Sequence, residues 1–264
     1  MKSLLFKVSS ILLLSLSAFA NNEIYITQVG TSNNFTLDIT QDGNDNVVQL
    51  SVSHDNNSIE IDQEGNNNTV SWVSYWGSGQ NWGGDLDGSG NTLKFEQFNT
   101  TGTDANRIGF HINTNDNTVH VCQGKTFDNS SDTTCESTTT SEYGGHTVNI
   151  DLHSGDTNLK GSQETGTGNA DHEARVYTYG GENNDIFFKQ SGNGDKFLQL
   201  IVRTDNGEQE VIQAGNGDHT ATIDLTGSYT TDLSLTQNSG TNQSYTLTNN
   251  CQTSSGCSVT VTQN

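Results

Sequence analysis

The sequence predicts an all-β fold, a β-solenoid of about nine strand-turn-strand coils forming two stacked parallel sheets, with inserts at the turns. Three observations predict it. A phrase of apolar, any, apolar, any, Gln recurs along the chain. A glycine and then an asparagine follow several of these glutamines at fixed places. The composition excludes the main competitors: 32 Asn, 35 Thr and 16 Gln, with no proline and 30% hydrophobic residues, disfavour long helices and a conventional oily core. Low hydrophobicity and high charge also suit disorder, but regularly spaced β-branched residues do not.

From the N-terminus, Lys2 and Lys7 precede the apolar run Ile11 to Leu14, and Ala18-Phe19-Ala20 has the pattern of a cleavage site. Residues 1–20 therefore read as a secretory signal peptide, and residues 21–264 as one exported, extracellular domain. The apolar run is shorter than the roughly 20 residues that a membrane span needs, so no membrane insertion is expected. Losing two lysines takes the formal charge from 10 − 31 = −21 to 8 − 31 = −23. With only Arg107, Arg175 and Arg203, well separated, such a chain is not built for nucleic acid.

The phrase opens with Ile24-Tyr-Ile26-Thr-Gln28 and continues at Leu37 to Gln41, Ile59 to Gln63, Leu93 to Gln97 and Val119 to Gln123. Further copies end at Gln163, Gln190, Gln213, Gln237 and Gln263. In a strand, period-two alternation puts Ile59, Ile61 and Gln63 on one face and Glu60 and Asp62 on the other, so the glutamines point inward with the aliphatics. From Gln41 the intervals between glutamines are 22, 34, 26, 40, 27, 23, 24 and 26 residues, a minimal coil of 22 with additions. Isolated buried amides would each cost about 1–3 kcal/mol, but amides repeated in register can bond up and down the stack.

The turns follow the same logic. Gly30, Gly43, Gly65, Gly192 and Gly215 come two residues after their glutamines and supply backbone freedom, while Asn46 and Asn68 follow Gln41 and Gln63 by five places. After Gln190 and Gln213, Asp195 and Asp218 stand near the Asn place. A second, Asn- and Asp-rich turn (Asp55 to Asn57, Asn115 to Asn117, Asn183 to Asp185) leads back to the next copy.

Two inserts interrupt the repeat, at about residues 75–90 and 124–145. Trp72 has the inward phase of a core residue; Tyr75, Trp76 and Trp82 cover the flank or grip a sugar. Asp85, Asp87, Ser89 and Glu96 satisfy the spacing of an EF-hand calcium loop, but no helix flanks them and an acidic turn is the expected reading. The histidines, His120 and His153 among them, read as dispersed surface residues, so neither metal nor cofactor is expected. No catalytic set stands out, and a polysaccharide-cleaving enzyme would need arginines that are scarce here. Four cysteines in an exported chain suggest disulfides. Of the three pairings, Cys122 with Cys135 and Cys251 with Cys257 close the shortest loops and are favoured.

The units Gln28-x-Gly30-x-x-Asn33, Gln41-x-Gly43-x-x-Asn46 and Gln63-x-Gly65-x-x-Asn68 resemble the repeats of the curlin family, secreted subunits of bacterial curli amyloid fibres. The resemblance spans most of residues 21–264 and is looser after Gln97. It implies an assembly core of inward glutamines and asparagines and a head-to-tail homopolymer that serves biofilm matrix, adhesion and surface colonisation. It also implies a nucleator or major subunit as partner, and an outer-membrane secretion pore. The strands holding Ile24 and Ile26, and Val259 and Val261, are the expected ends, with no proline, lysine or helix to block them. The outward acids Asp38, Glu60, Asp62, Glu96 and Asp151 are expected to oppose sideways association. The alternative is a monomeric secreted solenoid adhesin that binds glycan or another surface.

Overall fold

A computed structural model describes residues 11–17, 22–29, 35–53, 57–70, 85–99, 105–115, 117–124, 145–153, 155–165, 172–180, 183–193, 195–203, 207–226, 231–238, 242–249 and 257–264. Among them every regular element is a strand. Sheet A contains β1 (Ile11–Ser17), β3 (Thr36–Asp42), β5 (Ser58–Gln63), β7 (Thr92–Gln97), β9 (Asn117–Cys122), β11 (Thr157–Thr165), β13 (Asn184–Gly192), β15 (Gly207–Ala214), β17 (Thr231–Asn238) and β19 (Ser258–Gln263). Sheet B contains β2 (Ile24–Val29), β4 (Val48–Ser53), β6 (Asp85–Ser89), β8 (Phe110–Asn115), β10 (Thr147–Leu152), β12 (His172–Thr178), β14 (Lys196–Val202), β16 (His219–Leu225) and β18 (Gln243–Asn249). Odd strands stack in order in the ten-stranded sheet and even strands in the nine-stranded one, all parallel, as a β-solenoid requires.

Alternation decides which side chains meet. Along β3 and β5 exposed and buried residues alternate, and the register sets Leu37 against Ile59, Ile39 against Ile61 and Gln41 against Gln63. The same columns run through Leu93 and Phe95, then Val119 and Val121, so one continuous apolar cluster fills the space between the sheets. Bulk is balanced along a column. Gly161 lies between Val121 and Phe188, and a β-carbon on it would stand 2.2 Å from the Phe188 ring.

At the turns, Gly43 and Asn44 both take a left-handed φ of 76°, whereas in the next coil Asn66 (φ 71°), not Gly65, does so. Asparagine tolerates this region better than other side chains. Gly192 and Gly215 are left-handed, and a β-carbon on Gly215 would meet the Gly192 carbonyl oxygen at 2.2 Å. Gly30 lies outside the described residues.

Four details differ from the sequence expectation. The last part of the first insert is itself a strand. The Val48 N–H bonds the Thr69 carbonyl (3.2 Å) and the Val70 N–H that of Arg107 (3.3 Å), yet Ser51 pairs with Asp85. Asp85–Ser89, expected within the insert, is therefore the strand β6 of sheet B and takes up the pairing with β4 that Thr69 begins. Gln28 pairs with Val52 in sheet B, the sheet that strand alternation gives it, and so lies outside the glutamine column in which its phrase places it. The place filled by Asn46 is taken in later coils by Lys196 and His219, one residue after Asp195 and Asp218, since those turns are one residue longer. The apolar run of residues 11–17 pairs with β3 in the full-length chain.

Candidate functional site

The glutamine column of sheet A is an amide ladder. Gln41 Nε2 donates to Gln63 Oε1 (3.1 Å), Gln63 to Gln97 (2.8 Å) and Gln97 to Gln123 (3.1 Å). Beyond the second insert the direction reverses: Gln263 donates to Gln237 (2.6 Å), Gln237 to Gln213 (2.8 Å), Gln213 to Gln190 (3.0 Å) and Gln190 to Gln163 (3.0 Å). Most of these amides also donate to a carbonyl at or just before the start of the next sheet-B strand, as Gln213 does to Thr220 and Gln41 to Val47, both at 3.0 Å. The interior glutamines are buried, and from Gln63 to Gln237 each ladder amide has its oxygen or its nitrogen, in most cases both, in a hydrogen bond, which removes most of the desolvation cost. Among the described residues Gln41, at the head of the ladder, bonds through its nitrogen alone.

A second polar column runs where turns enter sheet B. Asn68 Nδ2 donates to Asn46 Oδ1 (2.7 Å) and Asn106 Nδ2 to Asn68 Oδ1 (2.9 Å). Register then carries the column to His146, His172, Lys196 and His219, all nearly inaccessible to solvent. Burial pushes the His146 imidazole down to about 3, and pushes His172 well below its usual value, helped by His146 and Lys196 beside it. Burial also lowers Lys196 to about 8, although its ammonium donates to the Gly192 carbonyl and Asp195 opposes the shift. Sequence reasoning placed Asn46 and Asn68 in such a ladder but missed the continuation of the column through Asn106, His146, His172, Lys196 and His219. The signal was present as Asn46-Val-Val48, Asn68-Thr-Val70 and Asn106-Arg-Ile108 against His146-Thr-Val148 and His219-Thr-Ala221.

Outside, the acids are less uniform than expected. Lys94 Nζ bridges Glu60 (2.7 Å) and Glu96 (2.9 Å); these bonds raise its pKa even though its partial burial acts the other way. Asp62 pairs in register with Glu96, and burial followed by that carboxylate pushes it up to about 7. Asp151 has the outward phase but is only 4% exposed. The histidines are not all dispersed: His111, Asp151 and His153 come together with their ligand atoms within 4.8 Å of one another. The calcium-loop residues, by contrast, are separated, Asp85 and Asp87 in β6 of sheet B and Glu96 in β7 of sheet A.

The stack ends differ from its middle. β18 and β19 close their sheets with one neighbour each. Val259, in register with Leu233, is 38% exposed where Leu233 is 3% exposed, and Val261 is half-buried beside the buried Leu235. At the other end β2, with Ile24 and Ile26, is the edge of sheet B, and β1 covers β3 in sheet A. Cys122 and Cys257 are each disulfide-bonded, and Cys135 and Cys251 lie outside the described residues, as do Trp72, Tyr75, Trp76 and Trp82. Compared with family models, curated proteins and solved structures, the chain matches none.

Proposed function

We propose that this chain is an exported structural subunit that stacks end to end into curli-like functional amyloid fibres, serving biofilm matrix, adhesion and surface colonisation. The observation that carries the reading is the last coil, where Val259 is exposed and Val261 only half-buried although Leu233 and Leu235, the equivalent residues of the preceding coil, are buried. Unpaired strand edges over an open core are the surface onto which a further parallel coil adds. A head-to-tail contact of this kind does not close on itself and yields a filament.

Loss of residues 1–20 as a signal peptide fits this growth. With β1 in place sheet A has ten strands and sheet B nine; without it each has nine, 10 − 1 = 9. β2 and β3 of one copy can then continue β18 and β19 of another in both sheets, and Leu37 and Ile39 of β3 can meet Val259 and Val261. A nucleating or major subunit and a secretion pore belong to the same reading, on the resemblance of the repeats; the two local disulfide loops are proposed on the short sequence separation of their cysteines. Seeded growth of the full-length chain and of a chain beginning at Asn21 tests it. Elongation by the shorter chain alone is expected, and no elongation by either contradicts the proposal.

A further inference from the structure

We propose that the outer face of sheet B carries a site for a divalent cation of the zinc class, formed by His111, Asp151 and His153. Parallel register sets Asp151 of β10 beside His111 of β8. His153 follows Asp151 by two residues and so projects from the same face, and its backbone is fixed by a 2.9 Å bond from its N–H to the Ile112 carbonyl. The residues are separated by 40 positions in sequence (151 − 111 = 40) and are joined only by the stacking of coils.

The geometry is close to that of a coordination shell. His153 Nε2 stands 3.1 Å from both Asp151 oxygens, and His111 Nδ1 stands 3.4 Å from Oδ2. A metal with bonds of about 2.0–2.1 Å in a tetrahedral shell separates its ligand atoms by about 3.3 Å, so two of the three edges already have the required length. The third edge, between the two imidazole nitrogens, lies within 4.8 Å and closes by a small rotation of His153, whose side chain is 39% exposed. Its ring packs on Tyr179 at 4.9 Å, which limits that rotation to a short arc.

The donor set selects the ion. Two imidazoles and one carboxylate suit zinc, copper or nickel, while calcium and magnesium need more oxygen donors than are present. The buried Asp151 carboxylate gains a counter-charge, and the exposed His153 side leaves the fourth position to water. β8 and β10 share only three registered residue pairs, against seven for β14 and β16, so the ion would clamp a junction where the backbone ladder is short.

Zinc titration of the purified, oxidised chain in excess magnesium and sodium chloride tests this, with the visible bands of bound Co2+ reporting geometry. The expected result is one tightly held zinc per chain, tetrahedral Co2+ spectra and a melting temperature raised by zinc. His153→Ala and Asp151→Asn should weaken binding by at least about tenfold, and His120→Ala, on the opposite sheet, should leave it unchanged. His153 is exposed, so its variant is expected to fold, and circular dichroism checks this. Zinc bound no more tightly by the parent chain than by His153→Ala overturns the proposal.

Discussion

His146 and His172 stand one above the other in the core, ring centroids 4.8 Å apart, in the column that Asn46, Asn68 and Asn106 fill in earlier coils. Both are almost fully buried. An unfolded histidine takes up its proton near pH 6.5, whereas burial holds His146 down to about 3 and His172 well below its usual value. The native state therefore binds fewer protons, and stability present above pH 6.5 is lost as the pH falls toward the folded values. For His146 alone, going from pH 6.5 to 4.5 costs about 2–3 kcal/mol. Urea midpoints are expected to fall over this range, and less so for His146→Asn, which restores the residue of the earlier coils. Equal slopes for the two chains would contradict the assignment.

Asp62 contributes with the opposite sign. Its folded pKa is raised to about 7 by burial and by Glu96, so the native state binds the extra proton and stability falls as pH rises from about 4 to 7. Asp62→Asn removes that loss. Its melting temperature should exceed the parent's at pH 8 by about 2–4 °C, the equivalent of about 1 kcal/mol, and the difference should vanish near pH 4.

The amide ladder predicts a position-dependent cost. Gln63 accepts from Gln41 and donates to Gln97 and to the Thr69 carbonyl, so Gln63→Ala leaves two buried ladder amides short of a partner and takes one of the two bonds of the Thr69 carbonyl. Chemical denaturation should show a loss of at least about 3 kcal/mol. Gln263 is exposed and bonds only Gln237 in the ladder, so Gln263→Ala should cost the isolated chain less than about 1 kcal/mol.

Gly161 and Phe188 form a size-matched pair in neighbouring coils. Gly161→Val alone should destabilise by about 1–3 kcal/mol through overpacking. In the double variant with Phe188→Ala the two losses should sum to less than their separate values, because the valine occupies space the ring vacates. Strict additivity in a double-mutant cycle would show that the ring is not what the glycine accommodates.

The glutamine spacing made the coil, its two sheets and the inward ladder legible from sequence, because residues such as Gln41, Gln63 and Gln97 repeat at the period of the stack. Alternation of strands between the sheets sets the Ile24 to Gln28 strand in a different sheet from Gln41, as found, and for that reason Gln28 stands outside the ladder with which its phrase groups it. The strand Asp85–Ser89 was hidden because its residues, with two acids and a glycine, carry no apolar alternation. For a related reason the histidines read as dispersed and Asp151 as one outward acid among several. Metal-ligand spacing is sought within one segment, whereas a parallel solenoid brings together residues a whole coil apart.

End-to-end growth is tested most directly by a thioflavin T time course on the purified, oxidised chain beginning at Asn21, unseeded and seeded with its own sonicated product. Electron microscopy and fibre diffraction of the end point complete the measurement. The account predicts seedable fibres with a meridional spacing of about 4.8 Å, and loss of elongation in Val259→Lys, whose charge blocks the open end. A parent chain that stays monomeric and β-rich, with or without seeds, contradicts it.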